Sequence, residues 1–227
     1  MRKIVAIILL IIIAVGISLS LKKIPFGSSA TKVVGKHYID EGAKETGAAN
    51  IVTSVVVNYR GFDTLGEITV LFIASIGLGA VLTANVKKKL EKAQSASLVL
   101  STGSRFMFPL ILVFGSYIFI HGHLTPGGGF QGGAIIASGF LLIYLGCRER
   151  RISRVTSNLT ESLAGLTFVV TGLFGLIFGG YFLLNFLPNG TVNTLFSAGI
   201  IPIIYIAIGL KVGSELASII DNLIEES

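Results

Sequence analysis

Six apolar stretches divide the chain, at about residues 4–21, 64–86, 106–120, 130–146, 159–184 and 199–220. Crossing the hydrocarbon of a bilayer takes about 20 apolar residues in a helix, so the pattern predicts about six membrane spans with little length left for a soluble domain. Arg2 and Lys3 precede the first stretch, and Ser28-Ser29-Ala30 follows it in the manner of a signal-peptide cleavage site. Its core of about 18 residues is longer than the usual 7 to 15, which favours a retained span.

Residues 22–62 form the one sizeable segment outside these stretches, with six basic residues offset by Asp40, Glu41 and Glu45. Within it Ile51, Val52, Val55, Val56 and Tyr59 recur at helical spacing, predicting a short helix on the membrane surface or against a neighbour. A strand through Val55, Val56 and Val57 is the alternative. The charged stretch 87–94, followed by small polar residues 95–104, marks a seam between a two-span module, 1–94, and a four-span module, 95–227.

Mean hydropathy is +0.82 and only 13% of residues are charged, about half the proportion of soluble domains. The net charge of +6 would suggest nucleic acid in a soluble protein. Here the basic residues gather at span ends, so topology accounts for them and no nucleic-acid partner is expected. Arg2 and Lys3, then Lys87, Lys88, Lys89, Lys92 and Arg105, then Arg148, Arg150, Arg151 and Arg154 mark cytoplasmic ends, whereas residues 121–133 and 185–198 contain neither Lys nor Arg. The expectation is an all-α, multi-pass protein of the cell membrane with about six transmembrane helices and both termini cytoplasmic. Cys147 is the single cysteine, which excludes an intrachain disulfide and metal motifs built on cysteine pairs.

Between the third and fourth apolar stretches stands H-G-H-L-T-P-G-G-G-F-Q-G-G, residues 121–133. Gly127, Gly129 and Gly132 match G-x-G-x-x-G, yet that fingerprint needs a preceding strand and an acid about 20 residues on. A membrane span precedes it here, and Ile152 occupies the later position, so nucleotide binding is excluded. Pro126 stops the helix, while Gly127, Gly128 and Gly129 permit positive φ and close backbone approach. A helix starting near Phe130, with Gly132 and Gly133 following, would offer free N–H groups to an anion or a partner's carboxylate, or the loop is simply a tight turn. His121 and His123 titrate near neutrality, which suits a proton entry or exit route; histidines hydrogen-bonded at an interface are the plainer alternative. Third and fourth metal ligands are lacking, and neither metal nor cofactor is expected.

Glu67 lies about four residues into the second span. It is an intramembrane acid and a candidate for function, or the closing residue of a capping box begun by Thr64. Lys211 is the deepest charge, about twelve residues into the sixth span, and Glu215 shares its helical face one turn on. The pair is a candidate for charge transfer, against snorkelling of Lys211 to the inner surface. Gly175 and Gly179, beside Gly172 and Gly180, form a close-packing stripe, while Pro109 and Pro202 kink or cap their spans.

The stretch G-H-L-T-P-G-G-G-F-Q-G-G resembles the signature of the B subunit of Mrp-type multisubunit sodium/proton antiporters, a resemblance covering about residues 95–227. Upstream, N-Y-R-G-F-D-T-L-G-E, residues 58–67, resembles the C-terminal end of the large A subunit of those antiporters. That piece stands alone as a small subunit in membrane-bound hydrogenases and sulfane reductases. The resemblance implies a fusion of two pieces: a non-redox, non-catalytic subunit that helps build a sodium or proton path beside larger antiporter-like subunits, themselves related to respiratory complex I. It makes Glu67 the stronger candidate for an ion-path acid. Expected partners are other antiporter-module subunits, hydrogenase-like redox subunits, sodium ions, protons and the lipid bilayer. A purely structural anchor of a hydrogenase or sulfane reductase complex is the alternative, and a self-contained transporter a third reading. With Glu67, Lys211 and Glu215 as its intramembrane charges, the chain is too poor in ionisable groups to carry a relay across a bilayer alone.

Overall fold

The computed structural model describes residues 2–23, 29–84, 96–147 and 151–226. The lysines at Lys87, Lys88, Lys89 and Lys92, Arg148 and Arg150, Ser28 of the cleavage-like motif, and the seam at 87–94 lie outside them. All regular structure among the described residues is helical. Contacts divide the chain into residues 1–39 and residues 40–227.

In the first unit, α1 (Arg2–Lys23) is a continuous helix whose stretch Ile7–Leu19 is apolar and exposed around its circumference. The second helix, α2 (Ser29–Thr46), begins in this unit and ends in the next. It stops where Gly47 takes a left-handed conformation, φ +73°, and donates its N–H to Ala43 O at 3.0 Å, a common helix terminator.

The second unit contains five helices long and apolar enough to cross a membrane. They are α4 (Gly61–Ala84), α5 (Leu98–Ile120), α6 (Gly129–Gly146), α7 (Arg154–Gly179) and α8 (Ile201–Glu226). Of the α8 span 56% is buried, and of the α6 span 44%, against 11% for α4 and for α5. Thus α8 is the axis, with α4, α6 and α7 packed on it and α5 held mainly by α6. Ile201, Ile204, Ile208 and Val212 form its dry face, 0–2% exposed.

The segment read as a short helix or a strand is helical. Asn50 caps α3 (Ile51–Thr53) by accepting the Val52 N–H at 3.1 Å, and the chain continues as a π-helical segment, Ser54–Tyr59. Three expectations need correction. The third span begins at Leu98, eight residues before its apolar stretch, because Ser97 caps its polar first turns by accepting the Leu100 N–H at 3.2 Å. Helix α4 starts at Gly61, so Thr64 lies inside it and donates its hydroxyl to Val56 O at 2.7 Å; it caps no helix, and Thr64 and Glu67 form no capping box. The fifth span begins five residues earlier than hydropathy indicates, because Ser153 caps the polar turn after it by accepting the Thr156 N–H at 3.1 Å. It ends before residue 184, at Gly180, left-handed at φ +87°. Residues 181–184 then fold back along α7, Leu183 N donating to Gly172 O at 3.2 Å, and Phe182 and Leu184 fill the space left by Gly172, Gly175 and Gly179. The glycine stripe therefore packs against its own chain.

Candidate functional site

Halfway along α8, Lys211 turns its side chain past Gly165 of α7, which leaves room for the aliphatic stem. Its ammonium lies 3.5 Å from Glu161 Oε1 on α7 and 3.5 Å from Glu215 Oε2 one turn farther along α8. The ring of Phe72 on α4 covers it at 4.7 Å, a cation–π distance. With Lys211 7% exposed and Glu215 0%, the ammonium is held inside the bundle; it does not snorkel to the surface. Lys211 and Glu215 meet as expected from their i, i+4 spacing. Glu161 is a third member that the sequence reading missed, since it sits on another helix.

At the end of α8 nearer Glu226, Arg151 pairs with Asp221 and lies over the Tyr144 ring, 4.9 Å from its centroid. Between this pair and Lys211, Ser157 Oγ donates to Ser214 O at 3.2 Å. Polar side chains thus follow α8 from its end to Lys211 at its middle, beyond which Ile208 and Ile204 are buried and aliphatic.

The glycine-rich loop lies at the other end. His121 is half-buried and stacks on Tyr117 with centroids 4.3 Å apart. His123 is fully buried, and neither ring nitrogen has an aligned hydrogen-bond partner among the described residues. Burial holds its pKa below the ordinary 6.5, with nearby His121 acting the same way and the backbone of Thr194, Leu195 and Ile120 opposing. The two histidines thus differ in setting, His121 half-buried at the start of the loop and His123 fully buried within it. The loop receives the α3 segment through a set of hydrogen bonds that sequence reasoning did not foresee. Asn50 N donates to His123 O at 3.1 Å, Asn50 Nδ2 donates to Gly122 O at 2.9 Å and Thr125 O at 3.0 Å, and Thr53 Oγ1 donates to Gly122 O at 2.7 Å. Tyr205 of α8 completes the chain, its hydroxyl donating to Thr53 Oγ1 at 2.9 Å.

Pro126 is exposed, Gly127 half-buried and Gly128 buried in this loop. Gly129 and Gly133 seat α6 against α8, for a Cβ there would come within 2.5 Å of Ile208 Cβ and 2.8 Å of Val212 Cβ. Gly132 seats the opposite side of α6 on α5, 2.7 Å from Gly115 O on the same measure, and Phe130 packs against the core. The repeated glycines chiefly make a three-helix seam.

Glu67 lies in the second turn of α4 and is exposed on that helix, apart from the Lys211 cluster. Cys147, just past α6, is buried and accepts the Arg105 Nε–H at 3.2 Å. That bond is the main cause of a thiol pKa below the usual 9.0, with Ser101 and Ser104 assisting. No group of three or more His, Cys, Asp or Glu among the described residues is arranged to hold a metal.

Residues 99–218 match the family described as a domain related to the MnhB subunit of Na+/H+ antiporter, and residues 1–91 match the MbhE family of MBH components. A chain of the membrane-bound sulfane sulfur reductase (MBS), an archaeal respiratory membrane complex, is 50% identical with a TM-score of 0.77, covering 98% of this chain and 97% of its own. A chain of the Mrp complex from Dietzia sp. DQ12-45-1b is 28% identical with a TM-score of 0.71. It matches 98% of this chain, which spans only 26% of that longer polypeptide. An uncharacterized protein of Methanocaldococcus jannaschii is 32% identical over 224 residues, 85% of this chain and 86% of its own length.

Proposed function

Given that the chain belongs to the family of domains related to the MnhB subunit of Na+/H+ antiporter, and is thus a multi-pass membrane protein of Mrp antiporter type, we propose that it is a non-redox subunit of a sodium/proton exchange module. It helps form the ion path within an energy-converting assembly related to respiratory complex I, joined there to hydrogenase-like or sulfane-reductase redox subunits. Its residues 1–94 and 95–227 correspond to the end of an antiporter A subunit and to a B subunit, carried on one polypeptide.

The observation that carries this reading is the burial of Lys211 and Glu215 with Glu161 in the middle of a membrane bundle. Ionisable groups there are costly and are found where charge moves. The chain does not complete a path alone. On α8, Ala207 and Ile208, 4% and 1% exposed, lie between the Lys211 cluster and the Tyr205–Thr53–Gly122 chain. Protons do not pass a dry aliphatic layer, so the route leaves sideways. Glu67, exposed on α4 among the described residues of its unit, is the acid that would meet the neighbouring subunit.

The test is exchange by the assembled complex in membrane vesicles, read as sodium-driven pH change. Replacing Lys211 by Ala or Glu67 by Gln abolishes or strongly reduces it, whereas a structural anchor would tolerate both changes. The isolated chain in liposomes shows no exchange, and robust activity there would refute the subunit reading.

A further inference from the structure

The charges in the α7–α8 seam do not cancel. Lys211 contributes one positive charge and Glu161 and Glu215 one negative charge each, so the fully ionised cluster carries a formal charge of −1 inside the bundle. An uncompensated charge in such surroundings is strongly disfavoured, and the usual relief is protonation.

The geometry says which carboxylate takes the proton. Glu161 keeps 15% of its side chain exposed, whereas the Glu215 side chain is 0% exposed, and neither Glu215 oxygen has a hydrogen-bond partner among the described residues. Its one compensating contact is the ammonium at 3.5 Å, which it shares with Glu161. The other elements offer Glu215 little. Helix α4 presents the Phe72 ring, which covers Lys211; Arg105 of α5 is engaged with Cys147; Tyr144 of α6 lies under Arg151, itself paired with Asp221. Among the described residues, the charges acting on Glu215 are therefore Lys211 and Glu161.

We propose that Glu215 is the proton-binding site of this chain, loading one exchangeable proton while Lys211 stays an ammonium ion and holds Glu161. Loading forms an O–H bond on a Glu215 carboxylate oxygen and takes the cluster from −1 to neutral. Unloading returns that proton and leaves the ammonium divided between two carboxylates, the arrangement with equal 3.5 Å contacts. Lys211 is then a positioning residue: it sets how readily Glu215 gives up its proton. This rests on the ion-path reading and names the carrier within it.

Infrared difference spectra of the complete membrane assembly, recorded as pH is raised, test the proposal. A carbonyl-stretch band of a protonated carboxylic acid should disappear in the parent complex, be absent in E215Q and remain in E161Q. In K211Q the band should persist to higher pH, since the ammonium that favours the ionised form is gone. A band that survives in E215Q, or is lost only in E161Q, overturns the assignment. Should E215Q fail to assemble, E215D keeps a carboxyl and must shift the band; an unshifted band also overturns it. Sodium-driven pH change measured on the same preparations separates the two levels. Loss of the band in E215Q with exchange intact leaves the proton site standing and removes the ion-path role, whereas loss of exchange with the band unchanged removes the proton site alone.

Discussion

Replacing Gly133 by Ala tests the glycine seam directly. The added Cβ would lie 2.8 Å from Val212 Cβ, 2.9 Å from Gly209 O and 3.0 Å from Gly213 N, all atoms of the α8 backbone or fixed to it. Carbon atoms rest about 3.5–4.0 Å apart, so α6 must retreat from α8 by roughly 1 Å, and overpacking of this kind costs about 1–3 kcal/mol. Gly129→Ala should be at least as severe, with Ile208 Cβ at 2.5 Å and Tyr205 O at 3.0 Å. Gly115→Ala should be milder, because the nearest obstacle, Ile136 Cγ1 at 2.7 Å, belongs to a side chain that can rotate, and the nearest backbone atom, Gly132 O, stands at 3.0 Å. Gly103→Ala meets nothing within 4 Å and gains up to about 1 kcal/mol of helix propensity. The assay is thermal loss of the monodisperse peak of the solubilised assembly. The ranking Gly129 and Gly133 worst, Gly115 intermediate, Gly103 neutral or stabilising is expected; equal tolerance at Gly133 and Gly103 would refute the packing account.

Asn50→Ala removes two hydrogen bonds to the loop and the cap of α3, a loss of about 1–3 kcal/mol; faster amide exchange at residues 121–125 checks it, and unchanged exchange counts against the clamp. His123 binds its proton less readily folded than unfolded, so stability should be full above pH 6.5 and fall as pH drops below it, because there the unfolded chain holds more protons. Melting scans from neutral to about pH 5 should show this slope, and His123→Gln should flatten it. Arg105→Gln should raise the Cys147 thiol pKa, moving the pH profile of its alkylation by a small permeant reagent upward; a profile that stays in place would mean that Arg105 does not activate the thiol.

The architecture was largely legible because hydropathy reports what bilayer-sized helices need: α4 and α6 lie within a few residues of their apolar stretches, whereas α5 begins eight residues before its stretch and α8 ends six residues after its own. The errors share a cause. Residues 154–158 are polar enough to resemble a connection, yet their first turn is stabilised by the Ser153 cap, which hydropathy does not register. At the other end, residues 181–184 are apolar enough to resemble a helix. They turn back onto Gly172, Gly175 and Gly179 because those glycines make a groove that the returning chain can enter. A stripe of small residues records close approach but not the identity of what approaches.

The same limit governs the charged cluster. Lys211 and Glu215 could be paired from sequence because one helix fixes their separation. Glu161 could not, since only the crossing of α7 over α8 brings a residue 50 positions away within 3.5 Å of the ammonium. Its placement also depended on the misjudged start of the fifth span: with the helix beginning at Leu159, Glu161 reads as a terminal charge in contact with water. Beginning at Arg154, the helix carries Glu161 two turns inward, to a side chain 15% exposed. Five residues of helix thus convert a surface acid into the member that unbalances the buried charge. A neutral ion pair would need no proton; a cluster with one carboxylate too many does, so proton binding in this bundle turns on a residue whose importance the hydrophobic pattern conceals.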